Sequence, residues 1–346
     1  MESNHTIHLR TLIEYFDNVV GISGFVLNLF LLYLIIYKTS TRLKEYRPIL
    51  LQNCLIDTFF NIVNTTTKAQ VDQKDGNFYI YMIGPLAHIK HPYNIIFIGF
   101  WIFALFYCVT GIPVQFVYRY LMIVKEIKVR FVHYFMLLFI AFILPLIYVL
   151  CSIYALWPNE ERWENAAALL KADHNYDEGI PNFVVASIDE WPLRSLVIYA
   201  YFLVCNAYVT IIFSNLKVWR HLKSMKSKMS IQARDAQRQL TVTFIFQAII
   251  PCVVCLIPIG TSATMAFIHA NVPSVGLFMA LLYSAIPIAN PLLTLIVVKN
   301  YRKTTIFIFK NICGKGNRRV ETMATGPTIP VAEKEVFSID LIEQLS

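Results

Sequence analysis

Asp57 is the one carboxylate within the apolar stretches of this sequence, whose centres contain no Lys, Arg or His. A buried carboxylate in lipid costs several kcal/mol and therefore marks a functional site by default. Asn28 and Asn290 lie at middle to inner depth in the first and last stretches. Facing inward, the three side chains would share a water or ion network that couples helices. The alternative is that each one bonds a neighbouring backbone carbonyl.

A second candidate is the run Tyr118-Arg119-Tyr120 at the end of the third apolar stretch. An arginine there can reach into the cytoplasmic mouth of a helix bundle and bind the carbonyls or carboxylates of a partner. The alternative is an interfacial cation that snorkels to the surface beside a tyrosine belt, which is common in membrane proteins. Both interpretations put Arg119 at the inner boundary of the membrane.

The loop Trp219–Gln239 carries basic residues at a spacing that suits helices, among them Lys223, Arg234 and Arg238. Helices extended into the cytoplasm would present these residues as a basic docking face. Positive loops on the cytoplasmic side, in contact with acidic lipids, explain the same charge without a partner. The loop therefore supports a docked protein without deciding for it.

The sequence lacks the residues and motifs that several classes of membrane protein require. The apolar stretches contain no HExxH motif, no pair of catalytic carboxylates and no acyl-transfer triad with its histidine. A retinal pigment would need a buried lysine in the seventh stretch, and the nearest, Lys299, lies at its end. The internal repeats of a transporter and the polar lining of a channel are also missing. We therefore expect a protein that is not an enzyme and has no metal or cofactor.

The composition indicates that membrane-spanning helices position these residues. Only 15% of the 346 residues are charged and 57% are apolar, whereas soluble proteins have about 25% and 45–50%. A helix that crosses a bilayer needs about 20 apolar residues, and seven stretches qualify: Val19–Tyr37, Pro48–Val63, Asn94–Phe116, Val132–Leu156, Leu193–Asn215, Leu240–Phe267 and Val275–Val298. Their continuous apolar character predicts an all-α, seven-transmembrane helix bundle. The second stretch is the weakest, and without it the count would be six.

The loop charges predict the orientation of the bundle. Of the 30 Lys and Arg residues, 23 fall on one side when the loops are assigned alternately, and positive loops stay in the cytoplasm. The N-terminus is therefore expected outside and the C-terminus inside. This divides the chain into an extracellular tail (1–18), the receptor domain (19–298), an amphipathic juxtamembrane helix (299–313) and a disordered cytoplasmic tail (314–346). The net charge of +8 thus reflects topology and not nucleic-acid binding.

Two features of the outer side agree with this orientation. The glycosylation sequons at Asn4 and Asn64 both fall on the outer side. None of the seven cysteines lies in an outer loop, so the long second outer loop is expected to be held by packing alone. Whether the sequons are used, and whether Cys313 is lipidated, stays open.

A ligand cavity is predicted in the outer half of the bundle, with a mainly aromatic lining. For any single residue, ordinary helix packing or lipid contact is the alternative. The candidate lining residues are Trp101, Phe103, Phe106, Tyr199, Asn206, Thr261 and Tyr283. Because the helices carry one interior charge, the ligand is expected to be uncharged. Pro251 and Pro258 make the sixth helix the expected moving part.

Three runs in order along the chain resemble nematode serpentine chemoreceptors of the Str superfamily, which are rhodopsin-like. They are Phe116-Val117-Tyr118-Arg119-Tyr120, then Gln237-Arg238-Gln239-Leu240 with Gln247 and Pro251, and then Asn290-Pro291-Leu292-Leu293 with Tyr301-Arg302. The resemblance covers nearly the whole chain. It implies a G-protein-coupled receptor with a chemosensory role in the plasma membrane of a sensory-neuron cilium. By the same resemblance, Arg119 matches the arginine that gates G-protein engagement.

The sequence departs from the resemblance at two places. Tyr118 stands where many rhodopsin-like receptors have an acidic residue, so an ionic restraint on Arg119 is missing. Asn290 stands where this family often has Asp, and the activation switch is therefore expected to differ in detail.

Together these observations predict an odorant- or pheromone-type receptor that binds a small ligand and activates a heterotrimeric G protein. The alternative is a ligand-gated channel or transporter of odorant-receptor type, which would place the N-terminus inside. The ligand, the G-protein subtype and any homo- or hetero-oligomer with another receptor stay open.

Overall fold

The computed structural model describes residues 2–39, 41–90, 92–157, 159–171, 181–225, 230–270 and 275–318. Seven membrane helices, here called membrane helices 1 to 7, form a bundle. In chain order they are Glu2–Tyr37, Arg47–Thr67, Tyr93–Ile123, Phe131–Ala155, Trp191–Ser224, Ile231–Phe267 and Val275–Val297. A short 3-10 helix, Thr41–Tyr46, precedes membrane helix 2, and Glu160–Lys171 forms a helix in the second outer loop. A further helix, Lys299–Arg318, follows membrane helix 7 and contains the predicted amphipathic segment.

Six of the described helices are long and apolar enough to cross a bilayer, and membrane helix 2 is the exception. Its 21 residues suffice in length, because each residue rises about 1.5 Å. Polar side chains such as Asp57 and Asn61 lower its hydropathy, and they are buried inside the bundle. Leu55, Phe59 and Ile62 on the opposite face are exposed. Membrane helix 2 is thus polar inside and apolar toward lipid, which explains its weak signal in the sequence.

Membrane helix 6 is interrupted at its middle. An α-helix, Ile231–Pro251, continues as a π-helical turn over Cys252–Leu256 and then as a second α-helix, Ile257–Phe267. Pro258 lies just after the turn and cannot donate a backbone hydrogen bond, which favours a break in the regular ladder. The structure therefore has an irregular turn between the two prolines that the sequence marks as a hinge.

A three-stranded antiparallel sheet, which was not predicted from the sequence, covers one end of the bundle; this is the outer end in the orientation predicted from the loop charges. Strands β1 (Ala69–Lys74) and β2 (Asn77–Met82) form a hairpin around Asp75 and Gly76. Both turn residues have positive φ, 48° and 73°, as a type I′ turn requires. Strand β3 (Phe183–Ser187) from the second outer loop pairs with β2.

The sheet corrects the expectation that the second outer loop is held by packing alone. Its β3 strand is joined to the first outer loop by a backbone ladder that runs from Asn77 opposite Ser187 to Tyr81 opposite Phe183. Tyr79 is fully buried beneath this ladder, and burial raises its pKa to about 12. The described cysteines are free thiols. Backbone hydrogen bonds, and not a disulfide between described cysteines, therefore connect the second outer loop to the first.

Two hydrophobic clusters stabilise the bundle, one in each half. The outer cluster includes Trp101, Ile102 and Leu105 and extends to the sheet. The inner cluster includes Phe116 and Phe244. Membrane helix 3 contributes to both clusters and is the most buried of the spanning helices, so it is the central element against which the others pack.

Candidate functional site

The outer half of the bundle contains a cavity of about 160 Å³. We call the end with the sheet the outer end, following the orientation predicted from the loop charges. Membrane helices 3 to 7 form its walls, and the sheet forms its cover. The lining includes Val71, Phe78, Ile80, Trp101, Ile102, Leu105, Phe106, Tyr148, Ser152, Ala186, Leu196, Ala200, Tyr201, Leu256, Ile259, Gly260, Ser262, Ala263, Met279 and Tyr283.

The lining of this cavity is apolar and uncharged. Among the described residues that form it, none is Asp, Glu, Lys, Arg or His. The hydroxyl of Ser152 donates to the Tyr148 carbonyl at 2.8 Å, and Ser262 Oγ lies 3.4 Å from Met279 Sδ. An apolar cavity of about 150 Å³ holds a molecule the size of benzene. The cavity therefore suits a small neutral molecule and offers an ion no counter-charge.

Three of the seven residues predicted to bind a ligand line the cavity: Trp101, Phe106 and Tyr283. The rings of Trp101 and Tyr283 meet edge to face, with centroids 5.8 Å apart. Trp101 Nε1 donates to Asn64 Oδ1 at 3.0 Å, which fixes the indole ring from behind.

The other four predicted ligand residues lie elsewhere. Phe103 packs against Phe142, with ring centroids 5.0 Å apart. Tyr199 donates its hydroxyl to the Leu144 carbonyl at 3.1 Å, between membrane helices 4 and 5. Asn206 and Thr261 are exposed on the outside of the bundle and bond carbonyls of their own helices. The sequence shows the helical period but not the rotation of each helix, so it misassigns these faces.

The sequence analysis also missed the part of the cavity formed by the sheet. Val71, Phe78, Ile80 and Ala186 line the cavity from the outer loops. The sequence sign of this hairpin is the pair Asp75-Gly76, which favours a two-residue hairpin loop, followed by the strand-forming run Phe78-Tyr79-Ile80-Tyr81. The preceding segment, Ala69–Lys74, has little strand preference of its own.

Asn64, predicted as a glycosylation site, lies inside the bundle. Its side-chain nitrogen donates to Ser284 Oγ at 3.2 Å, and the residue is 8% exposed. A glycan would have to be attached to this same nitrogen, so the folded bundle leaves no room for it. The backbone of Asn4 lies in membrane helix 1, and its side chain is outside the described part of the chain.

A belt of polar side chains crosses the inner half of the bundle. It is formed by six residues of membrane helices 2, 3, 6 and 7: Asn53, Asp57, Gln115, Gln247, Asn290 and Thr294. We call it the inner belt. Five hydrogen bonds connect its members in one chain. The network thus joins four membrane helices through directional bonds.

The bonds of the inner belt run from membrane helix 3 to membrane helix 7. Gln115 donates to Asn53, and Asn53 donates to Gln247 Oε1 at 2.9 Å. Gln247 donates to Thr294 Oγ1 at 3.1 Å, and Thr294 Oγ1 donates to the Asn290 carbonyl at 2.9 Å. The side-chain nitrogen of Asn290 completes the chain by donating to Asp57 Oδ1 at 2.9 Å.

The three residues predicted to form an interior network are placed differently from one another. Asp57 and Asn290 are bonded directly. Asn28 instead donates to the carbonyls of Gly24 and Pro287, both at 2.9 Å. The first pair corresponds to the predicted network, and Asn28 corresponds to the alternative in which an asparagine bonds backbone carbonyls. All three nevertheless tie membrane helix 7 to its neighbours.

A small polar cavity lies within the inner belt. Asp57, Gln115, Gln247 and Asn290 are among its lining residues. Gln115 Oε1 and Asn290 Oδ1 are buried and have no hydrogen-bond partner among the described residues. The cavity of about 10 Å³ has room for about one water molecule.

Arg119 is held by neutral partners at the inner end. Its side chain is 1% exposed. Nη2 donates to Thr241 Oγ1 at 2.7 Å and to Gln237 Oε1 at 3.3 Å, both on membrane helix 6. The guanidinium also lies over the Phe244 ring, 5.5 Å from its centroid. We call this group the inner latch.

The inner latch also reaches the first inner loop. Gln237 Nε2 donates to the Tyr46 hydroxyl at 2.7 Å, and burial raises the pKa of Tyr46, which keeps this hydroxyl neutral. The sequence indicates the missing acidic partner before Arg119, and the structure shows hydroxyl and amide groups in its place. Arg119 is thus buried at this end of the bundle and bonded to membrane helix 6.

The comparisons with known proteins agree with this architecture. Residues 13–306 match the family model described as serpentine type 7TM GPCR chemoreceptor Srd. The chain belongs to the Srd family of serpentine chemoreceptors. Its structure is similar to the crystal structure of squid rhodopsin, with a TM-score of 0.55 and 15% sequence identity over 90% of this chain and 91% of that chain. Among curated proteins, the comparison finds no match.

Membership in the Srd family confirms the coarse predictions. The protein is a multi-pass chemoreceptor of the G-protein-coupled class with a seven-helix bundle, and such receptors are not enzymes. A small molecule and a G protein are the partners that this class implies in general. The resemblance in the sequence named the Str superfamily, whereas the matching family model is Srd.

The other residues predicted to couple this Srd receptor to a G protein either have separate contacts or are exposed. Tyr118 donates its hydroxyl to the Glu45 carbonyl at 3.0 Å, and the Tyr120 ring packs against Phe213, 6.2 Å between centroids. The basic side chains of the predicted docking face are exposed: Lys223, Arg234 and Arg238. In the sequence, Gln237 stands out only as part of a family-like run, and Thr241 does not stand out at all. Their contacts with Arg119 could not be predicted, because contacts between distant helices leave no local pattern.

Proposed function

We propose that this Srd receptor binds a small, uncharged odorant-type ligand in the outer cavity and in response exposes Arg119 to a heterotrimeric G protein. The ligand class follows from the lining, which is apolar and uncharged in the described residues. A neutral molecule loses little hydration on entering such a site, whereas an ion would be left without a counter-charge.

The course of membrane helix 6 carries this proposal. Its outer part lines the cavity with Leu256 and Ile259. Its middle part supplies Gln247 to the inner belt, and its inner part supplies Thr241 to Arg119. One helix therefore contacts the ligand cavity, the belt and the latch in sequence. Ligand-dependent displacement of its outer part reaches the latch along this helix.

The π-helical turn Cys252–Leu256 lies between the two cavities. Leu256 lines the outer cavity, and Pro251, immediately before the turn, lines the small polar cavity. A π-helical turn is rare, occurs mostly as a single turn within an α-helix, and is frequently found at functional sites. We infer that a ligand shifts the population between two settings of this turn, one with Arg119 bound and one with Arg119 free.

The proposed orientation places the latch in the cytoplasm and the sheet outside. The excess of Lys and Arg on the side of Arg119 supports it. We further propose that the receptor resides in the plasma membrane of a sensory cilium, where volatile or dissolved ligands arrive.

The experiment that tests the proposed function compares two arginines at the inner side. Arg119→Ala is expected to abolish ligand-stimulated nucleotide exchange on the G protein while surface expression is retained. Arg130→Ala, at an exposed position in the second inner loop, is the matched control and is expected to leave exchange unchanged. Stimulated exchange that survives in Arg119→Ala at normal surface expression would count against the proposal.

A further inference from the structure

The outer side of the cavity is closed by the sheet. Ile80 and Ala186 line the cavity and are buried. The outer loops are also drawn together at His269, whose Nε2 lies 3.6 Å from an Asp189 oxygen and whose Nδ1 lies 3.9 Å from an Asp75 oxygen. Strand pairing and these polar contacts cover the direct path from the aqueous side.

The wall between membrane helices 5 and 6 is thinner than this cover. Tyr201 on membrane helix 5 lines the cavity, yet 46% of the residue is exposed on the outside of the bundle. Val204 and Ile259, which also line the cavity here, are half-buried. The neighbouring Phe202 and Ile257 are exposed and apolar, so this surface faces lipid. The Tyr201 side chain is therefore part of the partition between the cavity and the bilayer.

The contact that closes this wall is weak. The Tyr201 hydroxyl donates to the Gly260 carbonyl at 3.5 Å, which is at the long limit of a hydrogen bond. The same carbonyl accepts a shorter bond of 2.8 Å from Thr264 Oγ1. Gly260 has no side chain, and a Cβ at this position would lie 3.7 Å from the Tyr201 hydroxyl oxygen. Rotation of one tyrosine side chain would open a gap beside Gly260.

We propose that the ligand reaches the cavity from the lipid bilayer, through the gap between membrane helices 5 and 6, and that Tyr201 is the gate. This inference rests on the proposed function, because it requires the outer cavity to be the ligand site. It specifies the ligand class further: a neutral, lipophilic molecule, small enough for a cavity of about 160 Å³, that first partitions into the membrane. The apolar lining and the lipid-facing opening select for the same chemistry.

The test follows labelling of the cavity by a lipophilic photoreactive probe. Full-length receptor in lipid nanodiscs is mixed with vesicles that carry a trifluoromethyl-phenyl diazirine and is irradiated after increasing delays. Mass spectrometry then measures labelling of Trp101 and Met279, which line the cavity. We expect Tyr201→Phe to label about twofold faster than the native receptor, because the hydrogen bond that it removes is long and lies at the weak end of the usual range. Tyr201→Ala is expected to be faster still, and Gly260→Leu slower.

Two control variants separate the possible routes. Phe202→Ala changes an exposed ring on the same helix that is not among the cavity-lining residues, and it is expected to leave the labelling rate unchanged. His269→Ala removes the contacts to Asp75 and Asp189 that draw the outer loops together, and it is also expected to have no effect.

Three other results would contradict the gate, the lipid route or the cavity itself. Labelling rates that do not respond to Tyr201 or Gly260, but increase in His269→Ala, would show a route through the outer loops and leave the cavity as the ligand site. Rates that respond to none of these variants would also exclude Tyr201 as the gate. Absence of cavity labelling in every variant would remove the cavity itself, and with it both this inference and the ligand part of the proposed function.

Discussion

The outer cavity and the inner belt lie along the same membrane helices, 3, 6 and 7, but they are built from opposite kinds of contact. The cavity is lined by aliphatic and aromatic side chains such as Leu105 and Met279. The belt joins amides, a hydroxyl and a carboxylate through side chains such as Gln247 and Asp57. The described lining of the cavity thus carries no charge, whereas the belt is held together by hydrogen bonds between side chains of different helices.

This difference predicts that substitutions are tolerated in the cavity lining but not in the hydrogen-bonded belt. Apolar contacts are non-directional, so a cavity built from them tolerates substitutions and changes its ligand preference by small steps. A buried hydrogen-bonded network is directional, and a partner left unpaired is costly. We infer that ligand specificity resides in the outer half and the switch between two states in the inner half. Four substitutions, each paired with a control, test this inference.

The largest effect is expected from Asp57→Ala in the inner belt. The substitution leaves the Asn290 nitrogen buried without its acceptor, which costs about 1–3 kcal/mol, and more for a charged partner. Purified receptor should melt at a clearly lower temperature and fail to respond to ligand. Asp57→Asn keeps an oxygen at the same place and should retain most of the stability. Equal melting temperatures for both variants would mean that the belt tolerates substitution as the apolar cavity does.

Thr241→Ala is expected to raise signalling without ligand. It removes the shorter of two hydrogen bonds that hold Arg119, and a bond of about 1.5 kcal/mol to a charged group corresponds to roughly a tenfold change in the population of the open state. Basal nucleotide exchange at equal surface expression measures it. Thr243→Ala is the matched control, because Thr243 is buried nearby and bonds the Gln239 carbonyl of its own helix. A basal rate that rises equally in both variants would contradict the latch.

Ala263→Val in the outer cavity is expected to change potency and leave basal signalling unchanged. The added methyl groups occupy cavity space, and a change of this size alters binding by about 1–3 kcal/mol. Dose–response curves for an activating volatile, identified by calcium imaging, measure the shift. Thr261→Val is the control, since Thr261 is exposed on the outside of the same helix. A larger shift in potency for Thr261→Val than for Ala263→Val would support the prediction from sequence that Thr261 binds the ligand.

The smallest effect is expected from Gly76→Val in the cover of the cavity. Gly76 has φ +73°, and a Cβ there would lie 2.6 Å from the His269 ring, so a branched residue strains the hairpin turn. Amide hydrogen exchange in β2 and β3 should become faster while the helices keep their protection. Gly260→Ala, where the added Cβ has ordinary contacts, should leave exchange unchanged. Unaltered strand protection in Gly76→Val would mean that the turn does not hold the sheet.

Much of the fold could be predicted from the sequence, because lipid imposes strict rules on each segment alone. The predicted second helix, Pro48–Val63, was weak by hydropathy, yet it is a full membrane helix whose polar face is covered by its neighbours. The pair Asp75-Gly76 is likewise a local sequence sign of the hairpin turn. These features depend on residues close together in the chain.

The candidate site was predictable only in part. Arg119 and Asp57 stand out by type and depth, since charge within an apolar helix is costly wherever the helix packs. Their partners Thr241 and Asn290, the inward rotation of Trp101 and the outward rotation of Thr261 depend on how separate helices pack.

The amino-acid sequence alone is enough to locate the membrane helices along the chain and to single out Asp57 and Arg119 as the charges in them, although membrane helices 1, 3, 5 and 6 extend 7 to 17 residues beyond their predicted bounds. Only the packing of the helices shows that the outer loops pair as a sheet over the cavity, that Arg119 is held by Thr241 and Gln237, and that the exposed Tyr201 also lines the cavity. The reason is physical. Insertion into a bilayer acts on each segment independently, whereas side-chain partners arise from packing between segments that are far apart in the chain.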